Sequence, residues 1–158
     1  MNLVATAPTW LLLLLAALVL AAAVEDAVRL RISNFTCAGV LLLAIVAMFV
    51  EGFSPALWQN GVVFLALLIL GTLVFAASQM GGGDVKLLAA LGAWVNLNGG
   101  VWLLSTVLLA GGLLAFGFIL VRVTRGGGIK RSAKGGLPYG LAIAAGAAIT
   151  FAAQRGLV

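Results

Sequence analysis

Six apolar runs are separated by short polar or glycine-rich breaks: about Leu3–Val24, Phe35–Val50, Gly61–Ser78, Val85–Trp94, Gly99–Val121 and Leu137–Ala153. None alternates with the two-residue period of a strand, and five reach or approach the roughly 20 residues that a membrane-spanning helix needs. The pattern predicts an all-α, polytopic membrane protein with about six transmembrane helices in a single membrane-embedded domain, residues 1–158. The fourth run is short and follows Gly81-Gly82-Gly83. It reads as a tilted or partly re-entrant helix, because irregular backbone at membrane depth needs protein or a water cavity around it.

Composition agrees with this class. The chain is 64% hydrophobic and 8% charged, with a mean hydropathy of +1.25, whereas soluble domains carry about 25% charged residues. The net charge of +5 forms no basic stripe interleaved with aromatics, so nucleic acid is not an expected partner. The lipid bilayer is. Trp10 to Val24 lacks a preceding Lys or Arg and is read as a retained first helix rather than a signal peptide.

The basic residues set the orientation. With the N-terminus outside, Arg29, Arg31, Lys86, Arg122, Arg125, Lys130, Arg131 and Lys134 fall on the cytoplasmic side. Only Arg155 is left outside, a strong positive-inside asymmetry. Trp10, Trp58, Trp94 and Trp102 then fall near the outer interface, as an aromatic belt would.

The chemistry available is narrow. There is no histidine, and Cys37 is the only cysteine. Ser-His and Cys-His catalysis and a Cys/His metal cluster are excluded, and no metal or other cofactor is expected. The only aspartates are Asp26 and Asp84. In the proposed orientation both lie at the cytoplasmic edge of an apolar run, where an ionisable group is a candidate for function. Each alone has a plain structural reading: Asp26 as a juxtamembrane charge, Asp84 as the cap of a helix that follows a glycine turn. Together they form what aspartyl proteolysis requires. One ionised carboxylate takes a proton from water. One protonated carboxyl polarises the scissile carbonyl and later protonates the leaving amine. Gly81, Gly82 and Gly83 leave room for an extended substrate segment. Lys86 is expected to point away, towards lipid headgroups. Glu25 is expected to face the headgroup region and do little. Gly111, Gly112, Gly117 and Gly146 allow close helix approach. A competing reading is a small proton-coupled transporter or channel subunit, but that predicts acids near mid-bilayer and paired repeats, neither of which is present.

The run Gly81-Gly82-Gly83-Asp84-Val85-Lys86-Leu87-Leu88-Ala89-Ala90-Leu91-Gly92-Ala93-Trp94 resembles the GxGDxKLLAALGAW signature of type IV prepilin peptidases. Asp26 and Asn34 keep that family's eight-residue spacing, in a segment ending Ile32-Ser33-Asn34, where Ser33 replaces the usual proline. Pro138-Tyr139-Gly140 looks like its Pro-Tyr/Phe-Gly segment. The resemblance implies an aspartic endopeptidase of the bacterial cytoplasmic (inner) membrane. It would cleave the leader from prepilin or pseudopilin substrates at the cytoplasmic face. Asp26 and Asp84 would be the catalytic pair. Gly81, Gly82, Gly83, Lys86, Asn34, Pro138, Tyr139 and Gly140 would line the substrate. Long members add an N-terminal segment with zinc-binding cysteine pairs and N-methylate the new pilin terminus. This chain lacks both segment and cysteines, so it looks like the compact TadV/CpaA type of tight-adherence (Flp) pilus systems, and methylation is not carried over. The resemblance fixes no oligomeric state.

Overall fold

The computed structural model describes residues 1–77, 80–124 and 139–156. Among them the regular elements are α-helices and one 3-10 turn, Pro55–Leu57, with no strand. The helices are α1 (Leu3–Thr6), α2 (Thr9–Arg29), α3 (Asn34–Glu51), α4 (Trp58–Ala76), α5 (Gly82–Gly92), α6 (Leu97–Thr124) and α7 (Tyr139–Gln154). Among the described residues each apolar run of the sequence contains a helix, and four helical stretches are long and apolar enough to cross a membrane: Thr9–Arg29, Asn34–Glu51, Pro55–Ala76 and Leu97–Val121.

The first run is two helices rather than one. Ala7 precedes Pro8 and takes an extended conformation, φ −58° and ψ 145°. Proline crowds the residue before it out of the α region and so ends α1. At the other end of α2, Leu30 is the only non-glycine residue with positive φ among those described, at 52°. Its N–H closes on Asp26 O at 2.8 Å. This left-handed cap ends α2 one turn after Asp26.

α5 lies at the centre. It packs on α3, α4 and α7, and eight of its eleven residues are buried. At 1.5 Å per residue it is about 16 Å long, roughly half the hydrocarbon thickness. α5 is therefore an internal helix, not a fifth full span. Small residues let its neighbours close in. A Cβ on Gly71 would stand 2.7 Å from Val85, and one on Gly92 would stand 2.8 Å from Leu67.

Trp94 corrects one expectation. The expectation placed it in an aromatic belt at the outer interface. It is fully buried in the core, and its indole N–H donates to Val40 O at 3.1 Å. The other three tryptophans, Trp10, Trp58 and Trp102, are more than half exposed on the apolar surface. Of the small residues on α6 and α7, Gly146 meets the backbone of Val107 and Gly111 meets Tyr139, while Gly112 and Gly117 face open space. Thr106 Oγ1 bridges α6 to α7 through Gly146 O (2.9 Å) and Thr150 Oγ1 (2.8 Å).

Candidate active site

At one end of the bundle the last turns of α2 meet the first turn of α7, and the α2–α3 connection lies on the first turn of α5. Asp26 projects inward from α2 and is only 4% exposed. A bare carboxylate there would be costly, and it is met by a buried backbone donor. Gly140 N–H, in the first turn of α7, donates to Asp26 Oδ2 at 2.7 Å. The same contact explains the glycine: a Cβ on Gly140 would stand 2.7 Å from Asp26 Cβ.

Asp84 is the third residue of α5 and is 7% exposed. It is not the cap itself, as the plain structural reading had it. Gly81 holds the cap position, and its N–H donates to Asp84 Oδ2 at 3.2 Å. The carboxylate thus reaches back over the first turn, where the helix dipole favours it. Among the described residues, Asp84 Oδ1 is a buried oxygen with no hydrogen-bond partner. Asp84 lies outside the four membrane-spanning stretches. Burial pushes its carboxyl up to about 6, the negative charge of Asp26 adds to the rise, and the Gly81 N–H opposes it. The charge of Asp26 is therefore felt at Asp84.

The connection between α2 and α3 fastens the two aspartate-bearing helices together. Ile32 is buried and lies against α5 so closely that a Cβ on Gly83 would stand 3.0 Å from Ile32 O. Cys37 Sγ lies 3.6 Å from Gly83 O. Lys86 Nζ donates to Asn34 Oδ1 at 2.8 Å. Lys86 is exposed, but it turns to Asn34 rather than away, contrary to the expectation from sequence.

Most of the predicted site residues therefore meet at this end: Asp26, Asn34, Gly81, Gly82, Gly83, Asp84, Lys86, Tyr139 and Gly140. Gly82 and Gly83 are helical and packed, Gly82 near Phe75 and Gly83 under Ile32. Tyr139 begins α7 and packs on Gly111. Pro138 lies outside the described residues, as do Arg125, Lys130, Arg131 and Lys134. Two contributions escaped the sequence reading. The Gly140 donor is a backbone group, invisible in the residue type. Glu25, expected to do little, accepts hydrogen bonds from Ser33 N (2.8 Å) and Thr36 Oγ1 (3.1 Å). No three His, Cys, Asp or Glu side chains converge among the described residues.

The sequence model of the type IV leader peptidase family matches residues 13–121. That span contains both aspartates and all of α3 to α5. No curated protein and no solved structure matches the chain.

Proposed function

Because the chain belongs to the type IV leader peptidase family and is a protease of leader-peptidase type, we propose that it cleaves by aspartic catalysis, with Asp26 and Asp84 as the pair. The observation that supports this reading is that the chain's only two aspartates are both buried at one end of the bundle, near enough for the charge of Asp26 to raise the Asp84 carboxyl. Each has a backbone N–H partner, yet two like charges buried at one end of the bundle are costly unless a proton is shared.

The roles follow from the surroundings. Asp84, raised to about 6, holds the shared proton. Asp26, with the Gly140 N–H on Oδ2, is the base. It takes a proton from water, and the hydroxide oxygen bonds to the scissile carbonyl carbon. The oxyanion forms against the Asp84 hydroxyl. As the C–N bond breaks, the nitrogen takes the Asp84 proton. The proton left on Asp26 passes to Asp84 and resets the pair.

Prepilins are the substrates that the family implies. We assign the chain to the compact type that serves Flp (Tad) pilus systems, in the bacterial inner membrane. The site faces the cytoplasm, which the exposed Arg29, Arg31 and Lys86 at the carboxylate end support. The scissile segment would pass over Gly81, Gly82 and Gly83, beside Asn34, Lys86, Tyr139 and Gly140.

Co-expression with a candidate prepilin, read by a mobility shift, tests the reading. Asp26→Asn and Asp84→Asn should each lower processing by roughly 10²–10⁴-fold at equal membrane abundance. Normal processing by either variant would refute the pair.

A further inference from the structure

Glu25 stands beside a catalytic candidate without sharing its surroundings. Asp26 turns into the bundle, whereas Glu25, one residue earlier, turns along the α2–α3 connection. There its Oε2 accepts the Ser33 N–H at 2.8 Å and the Thr36 hydroxyl at 3.1 Å. Ser33 is the N-cap of α3 and Thr36 its third residue. In an ordinary capping box the third residue of the helix accepts the N–H of the cap. Thr36 donates its hydroxyl to Glu25 instead. The acceptor for the cap N–H comes from the preceding helix. Ser33 Oγ completes the cap by accepting the Phe35 N–H at 3.1 Å.

This arrangement has a mechanical result. The segment clamped by Glu25 is the one that lies on α5: Ile32 over Gly83 and Asn34 against Lys86. Gly83 is the residue before Asp84. Glu25 thus fixes the Asp26 end of α2 to the strap that positions the start of α5. We propose that Glu25 is a positioning residue for the proteolytic reaction: as a hydrogen-bond acceptor for the Ser33 N–H and Thr36 hydroxyl, it locks the α2–α3 connection and so sets the geometry between Asp26 and Asp84. The proposal rests on the aspartic reading of the site. It assigns Glu25 no contact with substrate and no proton transfer.

Its role depends on accepting hydrogen bonds, not on charge. Glutamine keeps an acceptor oxygen of the same reach, and alanine does not. Ser33 matters through its N–H, which proline would lack.

The test measures kcat and KM for leader cleavage in detergent-solubilised full-length protein, with Glu25→Ala, Glu25→Gln, Ser33→Pro and Asp26→Asn beside the wild type. Loss of both hydrogen bonds to Glu25 predicts a fall in kcat of roughly tenfold or more for Glu25→Ala, with KM held. Glu25→Gln should stay within about threefold of wild type. Ser33→Pro, which removes one donor to Glu25 together with the Ser33 Oγ acceptor of the Phe35 N–H and leaves the Thr36 hydroxyl, should fall between them. Should Glu25→Ala fail to accumulate in the membrane, Glu25→Gln and Ser33→Pro still decide: equal and deep loss in both, or no loss in Ser33→Pro, overturns the proposal. Wild-type kcat in Glu25→Ala, or equal loss in Glu25→Gln and Glu25→Ala, also overturns it. If these occur while Asp26→Asn is inactive, only the positioning role fails. If Asp26→Asn cleaves normally, the aspartic reading falls and takes the positioning role with it.

Discussion

α5 and α6 are both apolar helices, yet the bundle uses them in opposite ways. α5 has eleven residues, eight of them buried, and touches three other helices. α6 has 28 residues, and only 11% of its most apolar stretch is buried. Leu108, Leu109, Leu113 and Phe116 of α6 are each about two-thirds exposed or more. The contrast shows that hydropathy does not say whether an apolar residue meets protein or lipid. Lipid tails are as apolar as leucine, so neither environment is penalised. What marks α5 as internal is its length, its small residues and its one carboxylate. A helix too short to span can hold Asp84 inside the protein and still near the membrane edge.

Stability measurements should separate the two helices most sharply. Leu91→Ala in α5 removes a side chain with no exposure and should cost about 2–5 kcal/mol. Leu113→Ala in α6, at 72% exposed, should stay within about 0.5 kcal/mol. Reversible unfolding in mixed micelles reads both. Equal costs would break the contrast.

Glycine substitutions carry it from stability to chemistry. Gly140→Ala places a methyl 2.7 Å from Asp26 Cβ, so the carboxylate must shift. Misplacing a reacting group by about 1 Å can cost about 100-fold in rate. Gly112→Ala in α6 meets nothing within 4 Å and should leave leader cleavage unchanged.

The comparison can be sharpened by pH. The Asp84 carboxyl titrates at about 6 in the folded protein, above the 3.8 of the free side chain. A raised value means that the folded state favours the protonated form. The associated stability is full below pH 3.8 and is lost as pH rises through about 6. Thermal unfolding should therefore move to lower temperature across that window, and Asp84→Asn should remove this component. Under the proposed aspartic mechanism cleavage needs the shared proton and should also decline as pH rises through about 6. The smallest effect is expected at the surface of α5. Lys86→Ala breaks an exposed contact to Asn34 and should cost under about 1 kcal/mol.

Much of this was readable in the chain. Gly81 to Trp94 marked the start of α5 and the position of Asp84, and Asp26 was legible at the end of the first apolar run, whereas the stop at Leu30 one turn later was not. Loop charge asymmetry put both aspartates at one edge, and the fold brings that edge together. The tryptophans show where the reading ran out. Trp94 reads from sequence as a belt residue, but its N–H donates to Val40 O inside the core. Only three-dimensional packing tells that from a lipid-facing indole. Glu25 escaped for a related reason. Its partners are an N–H and a hydroxyl eight and eleven residues away, and they come into reach only after the α2–α3 connection has turned. Pro8 was legible and was passed over: its effect on Ala7 splits the first apolar run, although hydropathy runs straight through.

The central claim is that Asp26 and Asp84 act as one pair, and titrating the Asp84 carboxyl by carbon-13 NMR, with and without the Asp26 charge, tests it most directly. In the wild type the midpoint should lie at about 6. In Asp26→Asn it should move down, because the like charge is gone, and stay above 3.8, because burial remains. An Asp84 midpoint that does not move when Asp26 is neutralised would contradict the pairing.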